Sequence, residues 1–370
     1  MSEILQKVSQ YLFGPFSSWD GFVDALTRGP KAFIALESKT GMLYLFSGLI
    51  VALFVFWASR TQLREDQRGS FWKYVFPKSV YGHPSAIVDY KFVGFDLLIK
   101  FFLYIPFVLG VSQVTYVLFS KLSIDLSFSA FTNMNYVARI ALVTLVSAAV
   151  VDFSVFFSHF LAHKIPFLWP FHEIHHSAEV LTPVTVHRVH PVEELTNGLV
   201  AGVFTGLLAG TYASMSGGSV EPYALFGLNI ISFVYYLSVY QLRHSHIWLS
   251  FGPILSYIIV SPAQHQIHHS IDKKHWNKNY GFTFAIWDWM FGALYVPKER
   301  EEITFGVPDV EQSDFSTVRK LYLLPFVKSA RRFKTMISSR KFKFDFDQIA
   351  DPSRVKPDQV NSHESIQATN

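Results

Sequence analysis

The chain has no cysteine and few charged residues. Asp, Glu, Lys and Arg make up 16% of its 370 residues, against roughly 25% in an average soluble protein. Without thiols the chain cannot form a disulfide framework, a thiolate zinc site or a cysteine-held iron–sulfur cluster. Because 50% of the residues are hydrophobic and 17% are aromatic, we expect an integral membrane protein.

The net charge is mild, at +4. Its basic residues concentrate near the expected cytoplasmic segments and toward the C-terminus, which favours contact with anionic lipid. No basic face with interleaved aromatic residues stands out, so we expect no nucleic-acid partner.

Long apolar stretches predict an all-α integral membrane fold with about five transmembrane helices. Each stretch is long enough to cross a hydrocarbon core of about 30 Å. The stretch at 140–158 contains one charge, Asp152, and the others contain none. The five predicted spans are residues 41–59, 101–120, 140–158, 198–220 and 222–242.

Lys and Arg residues predict the orientation. The loop after the first span carries seven of them, far more than the loop after the second, so the first loop is expected to be cytoplasmic. Alternation then brings the ends of the third and fifth spans to the cytoplasmic side. The histidine-rich segments next to those ends should form a cytoplasmic helical cap.

The chain divides into four predicted parts. Residues 1–40 form an N-terminal segment expected at the membrane interface, and residues 41–299 form the membrane domain. Residues 300–347 are basic and amphipathic, which fits a helix on the membrane surface and equally a solvated helix packed on the domain. Residues 348–370 are polar and are expected to be a disordered tail.

Histidines are concentrated in one part of the chain: thirteen of the fifteen fall between His159 and His275. Positions i, i+3 and i+4 share one side of a helix, so each group can present two or three imidazoles in one direction. Three groups have this spacing: His159 and His163; His172, His175 and His176; and His265, His268 and His269.

The second group contains an H-E-x-x-H motif, in which Glu173 could serve as the general base of a zinc hydrolase. The third group repeats the histidine pattern but has Gln266 in place of the glutamate. The shared feature is therefore the histidine pattern. Eight imidazoles exceed what one ion can use, so two metals are implied, and imidazole ligands alone do not identify them.

These segments resemble the fatty acid hydroxylase and sterol desaturase superfamily of membrane di-iron enzymes. The resemblance covers roughly residues 152–307, and the bacterial sterol-desaturase-like branch fits best. It rests on the motifs HFLAH, FHEIHHS, HRVHP, SPAQHQIHHS, NYG and WDWMFG, which occur in this order.

The resemblance implies a metal centre of two iron ions, for which zinc can substitute, with O2 as co-substrate. It makes the eight grouped histidines metal ligands, and it adds His244 and His275 as less certain candidates. Asp152 lies seven residues before His159, on the same helix face, and is expected to accept the N–H of a ligand imidazole. His190 and Asp288 are expected to support the ligands in the same indirect way.

The resulting hypothesis is an O2-dependent oxidoreductase that hydroxylates or desaturates a lipid such as a sterol or a fatty acyl chain. The alternative is a membrane zinc hydrolase that uses Glu173 as base. The chain carries no cytochrome b5 signature, so a separate electron donor is implied, either cytochrome b5 or a ferredoxin with its reductase. A bacterial inner membrane is the expected location, with the active site on the cytoplasmic side. The lipid, its reacting carbon and the oligomeric state stay open.

Overall fold

The protein is described from a computed structural model, and its described part is mostly helical. The description covers residues 6, 9, 13–34, 41–62, 68–99, 105–121, 131, 133–216, 222–225, 228–308 and 310–338. Part of the N-terminal segment and the whole of the predicted tail at 348–370 lie outside these residues.

The first half of the chain contributes nine helices to the described part. They are α1 (Trp19–Ile34), α2 (Met42–Ser59), α3 (Phe71–Val75), α4 (Lys78–Tyr81), α5 (Pro84–Ile99), α6 (Ile105–Ser120), α7 (Tyr136–Lys164), α8 (Trp169–His176) and α9 (Pro191–Ser216).

The second half begins with a small antiparallel hairpin, β1 (Ala224–Leu225) and β2 (Leu228–Asn229). Five more helices lie between a π-helical turn at Tyr236–Tyr240 and the C-terminal end of the described part. The helices of this half are α10 (Ile230–Tyr235), α11 (Gln241–Arg243), α12 (Gly252–Leu255), α13 (Pro262–His268), α14 (Ile286–Met290) and α15 (Val318–Ser338).

Three helices among the described residues are long and apolar enough to cross a membrane. They are α2, α7 and the segment Pro191–Met215 of α9, and they match the first, third and fourth predicted spans. The second predicted span corresponds to α6, but its first residues, 101–104, lie outside the described part of the chain. Its ability to cross the membrane stays a prediction.

The fifth predicted span is not one continuous helix. It begins with the β1–β2 hairpin, where the backbone N–H of Tyr223 donates to Thr144 Oγ1 and Asn229 Nδ2 donates to the Thr144 carbonyl. The helical part that follows, from α10 through α11, is about 20 Å long, which is too short to cross a bilayer core. Hydropathy alone cannot detect this hairpin, since its residues are as apolar as those of the helix.

Two glycines allow α6 and α9 to pack closely. A Cβ atom on Gly206 would lie 2.6 Å from the Tyr116 carbonyl oxygen, and one on Gly210 would overlap the Ser120 carbonyl. Small residues one turn apart let helix backbones approach in this way. The contact fixes α6 against α9, the helix that begins at Pro191 and has Glu193 in its first turn.

The long helix α7 places two histidines beyond the apolar span. Its 29 residues extend for about 43 Å, more than the hydrocarbon core requires. His159 and His163 therefore lie near one end of the helix, next to α8. Buried Phe156 and Phe160 pack there against Tyr280 and Ala293, which fixes the segment after α13 to the same end of α7.

The C-terminal helix α15 packs on the histidine-bearing part of the domain. Its residue Leu321 is buried in one apolar cluster with Phe92 of α5 and Ile174 of α8. Full burial of such a side chain contributes roughly 2 kcal/mol. The helix thus contacts the domain along this face, while Phe326 and Phe333 on its other side touch Phe171 and Phe167 and stay about half exposed.

Candidate metal centre

Nine histidines form two compact groups, which we name cluster A and cluster B. Within each cluster the candidate ligand nitrogens all lie within 4.8 Å of one another. The histidines of the two clusters come from four segments of the chain: α7, α8, the residue after α11, and α13 with the residue after it. Cluster A is His159, His163, His172, His176 and His268; cluster B is His175, His244, His265 and His269.

The two clusters are neighbours because two pairs of adjacent histidines are divided between them. His175 belongs to cluster B and His176 to cluster A, while His268 belongs to A and His269 to B. The ring centroids of His176 and His269 are 4.5 Å apart. A metal ion in each cluster would thus have the other ion as its close neighbour.

The spacing of the imidazole nitrogens fits metal coordination. In cluster A, His172 Nε2 lies 3.0 Å from His159 Nε2 and 3.1 Å from His176 Nε2. In cluster B, His244 Nε2 lies 3.1 Å from His175 Nε2 and 3.0 Å from His265 Nε2. Nitrogens bound to one ion at 2.0–2.1 Å are about 2.9 to 3.4 Å apart, so the distances match.

Two buried nitrogens of cluster A lack a hydrogen-bond partner among the described residues: His163 Nε2 and His268 Nε2. An unpaired buried nitrogen costs about 1–3 kcal/mol. A metal ion bound to the cluster would use both lone pairs. The residues present therefore fit an ion in cluster A.

Two rings of cluster A are held in place by a hydrogen bond from Nδ1, the nitrogen that faces away from the cluster. His159 Nδ1 lies 2.9 Å from the Tyr280 carbonyl and His268 Nδ1 lies 2.8 Å from the Lys278 carbonyl. A carbonyl can only accept, so each Nδ1 carries the proton. This tautomer leaves Nε2 with a free lone pair that points into the cluster.

Glu193 and Arg243 support one ring each. Glu193 Oε1 lies 2.8 Å from His172 Nδ1, an arrangement in which the carboxylate orients the ring and raises the basicity of Nε2. Arg243 Nη1 donates to the Phe282 carbonyl at 2.6 Å, and Nη2 lies 2.8 Å from His265 Nδ1. Because a guanidinium can only donate, this contact positions the ring with its proton on Nε2, and a bound ion would have to displace that proton. The sequence reasoning missed both residues. A carboxylate at the start of an apolar helix is a signal that could have identified Glu193.

Burial keeps four of the clustered imidazoles neutral. It lowers the pKa of His268 to about 3, and it lowers the pKa of His175, His176 and His269 well below the usual value. Neighbouring imidazoles, which repel a second positive charge, act in the same direction for these residues. A metal ligand must be a neutral imidazole, so the clusters are prepared for cations near neutral pH.

The NYG and WDWMFG motifs hold the backbone that orients cluster A. Both carboxylate oxygens of Asp288 accept backbone N–H groups, from Tyr280 at 2.7 Å and from Gly281 at 2.8 Å. A Cβ atom on Gly281 would lie 2.6 Å from Asp288 Oδ2, so only glycine fits. Asp288 thereby supports His159 indirectly, through the carbonyl of Tyr280.

Among the described residues Asp152 contacts no imidazole, contrary to the expectation that it accepts an imidazole N–H. Its carboxylate accepts the backbone N–H groups of Thr283 and Phe284 and the indole N–H of Trp287. Seven residues along a helix correspond to about 10 Å, so a shared face does not bring Asp152 to His159. Asp152 instead fixes the segment after NYG to α7.

His275 and His190 lie outside both clusters. His275 Nε2 lies 3.1 Å from Glu301 Oε2, in a short turn separated from the ligand-bearing helices, so the structure does not bring this candidate ligand to the centre. His190 Nδ1 accepts the Val192 N–H and its Nε2 bonds to the Tyr322 carbonyl at 3.1 Å. His190 therefore connects the HRVHP segment to α15.

A buried ion pair holds the end of α8. Arg188, 1% exposed, donates to Asp89 of α5 at 2.7 Å and to Ser177 Oγ at 2.7 Å. Thr185 Oγ1 donates to the other oxygen of the Asp89 carboxylate. Ser177 follows His176 directly, so this pair fixes the position of the second histidine group against α5.

Glu173 faces α15 and not the histidines. Glu173 is only 2% exposed, and its carboxylate forms an ion pair with Lys328 Nζ at 3.0 Å. A general base must reach a metal-bound water, whereas this carboxylate is engaged by a lysine.

These observations define the class: a mostly helical protein with three candidate membrane-spanning helices and two adjacent all-histidine candidate metal sites. Residues 144–293 match the model of the fatty acid hydroxylase family. The predicted superfamily resemblance is thereby confirmed, while the sterol-desaturase-like branch stays a prediction.

Similar proteins include lipid enzymes. The chain is 27% identical over 158 residues to an ornithine lipid hydroxylase of Rhizobium tropici, a match covering 43% of each chain. It is 27% identical over 158 residues to an alkylglycerol monooxygenase of Xenopus tropicalis and 26% identical over 160 residues to the human one. These two matches cover 42% of this chain and 31% of each relative.

The chain thus matches less than half of the length of each of these relatives. No solved structure matches the chain significantly.

Proposed function

We propose that the protein is an O2-dependent di-iron oxidoreductase that hydroxylates or desaturates an unactivated C–H bond of a membrane lipid. Clusters A and B would each hold one iron, with the nine clustered histidines as ligands. Two iron ions held there would supply the two-electron activation of O2 that such a bond requires. The single observation that carries the proposal is the pair of adjacent, buried, all-histidine clusters.

The overall reaction balances without a group from the protein. Hydroxylation converts the lipid C–H, O2, two electrons and two protons into an alcohol and one water. Desaturation uses the same O2, electrons and protons and releases two waters with the alkene. The chain's own residues orient the imidazoles through Glu193, Arg243 and the backbone carbonyls of Lys278 and Tyr280, and they keep bulk water away from the buried nitrogens.

The electrons must come from outside, because the chain has no cysteine for a cluster. We propose cytochrome b5 or a ferredoxin, each with its reductase, as the donor. The site is proposed to lie at the cytoplasmic face of the membrane, as the distribution of Lys and Arg predicts. Zinc is expected to occupy the same ligands when iron is scarce, since imidazole binds both metals.

The rival function is a zinc hydrolase with Glu173 as base. Its ion pair with Lys328 at 3.0 Å disfavours this role, and a hydrolase leaves the third histidine group without a purpose. Two variants separate the functions. Glu173→Gln should keep the bound metal and the oxygenase activity. His268→Ala should lose the metal ion of cluster A and, with it, the oxygenase activity.

His246→Ala is the matched control for loss of a largely buried histidine. Its Nε2 bonds to the Tyr74 carbonyl at 2.6 Å, away from both clusters, so this variant should keep its metal. Activity that disappears in Glu173→Gln and survives in His268→Ala would overturn the oxygenase proposal.

The substrate class is proposed from the relatives, whose names refer to ornithine lipid and alkylglycerol. Lipid extracts of cells with and without the gene should differ by a species that has gained one oxygen atom or lost two hydrogen atoms. Complementation with His268→Ala should not restore that species. Identical lipid profiles in all strains would contradict a lipid substrate.

A further inference from the structure

All the charged residues of helix α15 have the same sign. It contains six basic residues and no acidic residue: Arg319, Lys320, Lys328, Arg331, Arg332 and Lys334. Only Lys328 forms an ion pair with a buried carboxylate in the described part of the chain, that of Glu173. The other basic residues are largely at the surface, so this helix presents positive charge outward.

The same helix has two apolar faces. One face packs on the domain through Leu321 and Pro325, both buried. The other face is apolar and about half exposed, with side chains between 46% and 55% exposed. At its margin Phe326 contacts Phe171 and Phe333 contacts Phe167. Its residues follow the helical spacing i, i+3, i+4, i+10 and i+14 and so form one stripe. The stripe consists of Leu323, Phe326, Val327, Phe333 and Ile337.

The anchors of α15 lie at the ends of two apolar segments. Tyr322 Oη donates to Asp96 near the end of α5, just before the apolar stretch 101–120. Ser329 Oγ donates to the carbonyl of Phe167, three residues after the end of the membrane-spanning α7. The helix thus runs along the boundary where both segments leave the apolar layer, on the side of the histidine clusters.

We propose that α15 lies in the headgroup region of the adjacent leaflet, with its apolar stripe among the acyl chains and its basic residues against anionic headgroups. A helix with an apolar face flanked by Lys and Arg is the form that binds such an interface. A second copy of the chain is a poorer occupant, because it would place two sets of basic residues together. The inference depends on the membrane spans and not on the reaction proposed above.

The absence of cysteine permits a direct test in the full-length protein. Single cysteines replacing Phe333, Ile337 and Thr335 would each carry a nitroxide label, in nanodiscs of phosphatidylglycerol or phosphatidylcholine. Thr335 is the matched control, since it is exposed on another face of the same helix. Accessibility to O2 and to a water-soluble nickel chelate then reports the depth of each label.

We expect the ratio of O2 to nickel accessibility to be several-fold higher at positions 333 and 337 than at 335. The ratio should be larger in phosphatidylglycerol, and Arg331→Glu with Lys334→Glu should remove that difference between lipids. Retained metal in each variant would confirm that the domain is folded.

Three results would overturn the proposal. The first is equal nickel accessibility at all three positions, which would place the stripe in water. The second is dipolar broadening between labels of two copies, which would make the stripe a self-association surface. The third is protection that develops only when an electron-donor protein is added.

Discussion

Glu193 is the carboxylate that most directly supports a clustered imidazole. Because its Oε1 lies 2.8 Å from His172 Nδ1, we expect Glu193→Ala to weaken metal binding by about 10- to 100-fold, as removal of such partners typically does. Glu193→Gln keeps an acceptor oxygen and should lose less. Competition with a chelator measures both affinities.

The ordering of the two variants is the decisive readout. A structural role unrelated to His172 would reduce both affinities equally, or neither. Wild-type affinity in Glu193→Ala would show that the carboxylate does not orient the ring.

Because the buried histidines are neutral in the folded protein, the stability of the metal-free protein should depend on pH. The pKa of His268 is about 3 in the folded protein, against about 6.5 when unfolded. Between these pH values the unfolded chain binds a proton at His268 that the folded chain does not. The contribution of neutral His268 to the free energy of unfolding is therefore complete above pH 6.5 and is lost as the pH falls. Each such histidine contributes a slope of about 1.4 kcal/mol per pH unit.

Chelator-treated protein in detergent should therefore unfold at lower denaturant concentration as the pH falls from about 8 to about 5.5. The metal-free His268→Gln variant, unfolded at the same pH values, lacks one of these histidines and should show a shallower dependence; it is the control for groups elsewhere in the chain. A midpoint that stays constant or rises on acidification of the metal-free protein would contradict neutral clustered imidazoles.

At the scale of elements, the contact of α6 with α9 depends on glycine. A methyl group on Gly206 would lie 2.6 Å from the Tyr116 carbonyl oxygen, so Gly206→Ala should separate the helices and reduce stability by about 1–3 kcal/mol. Gly94→Ala in α5 is the matched control, because its Cβ would meet nothing within 4 Å. Thermal unfolding in detergent measures both variants, and an unchanged midpoint for Gly206→Ala would exclude this close packing.

The ion pair of Arg188 with Asp89 joins α5 to the end of α8. Removal of one partner leaves a buried charge, so Arg188→Met should cost about 3–5 kcal/mol. The double variant Arg188→Met with Asp89→Leu should recover much of that loss, since both charges are then absent. Denaturant unfolding measures the two; equal losses in the single and double variants would indicate that the charges do not interact.

The elements also explain how far the sequence could predict the fold. Residues 41–59 are continuous apolar sequence and form a helix whose local hydropathy suffices to identify it. The stretch 222–242 is equally apolar, but Thr144 holds its first residues in a hairpin. That contact joins residues far apart in the chain, so no local pattern reveals it.

For the whole molecule, the sequence predicted that three histidine groups meet, and the structure brings them together. The helical spacing could not assign each ring to a cluster, because His175 and His176 are adjacent in the sequence and yet belong to different clusters. His275 looked similar to the ligands by its place before NYG, yet it bonds to Glu301. Tertiary partners such as Glu193 and Arg243 decide these details.

The central claim is that clusters A and B each hold one metal ion, and metal analysis of the purified full-length protein tests it most directly. Protein from iron-supplemented cells should contain two metal ions per chain, and His268→Ala and His265→Ala should each lower that ratio while His246→Ala does not. A wild-type ratio of one or less, or a ratio that these histidine variants leave unchanged, would contradict the account.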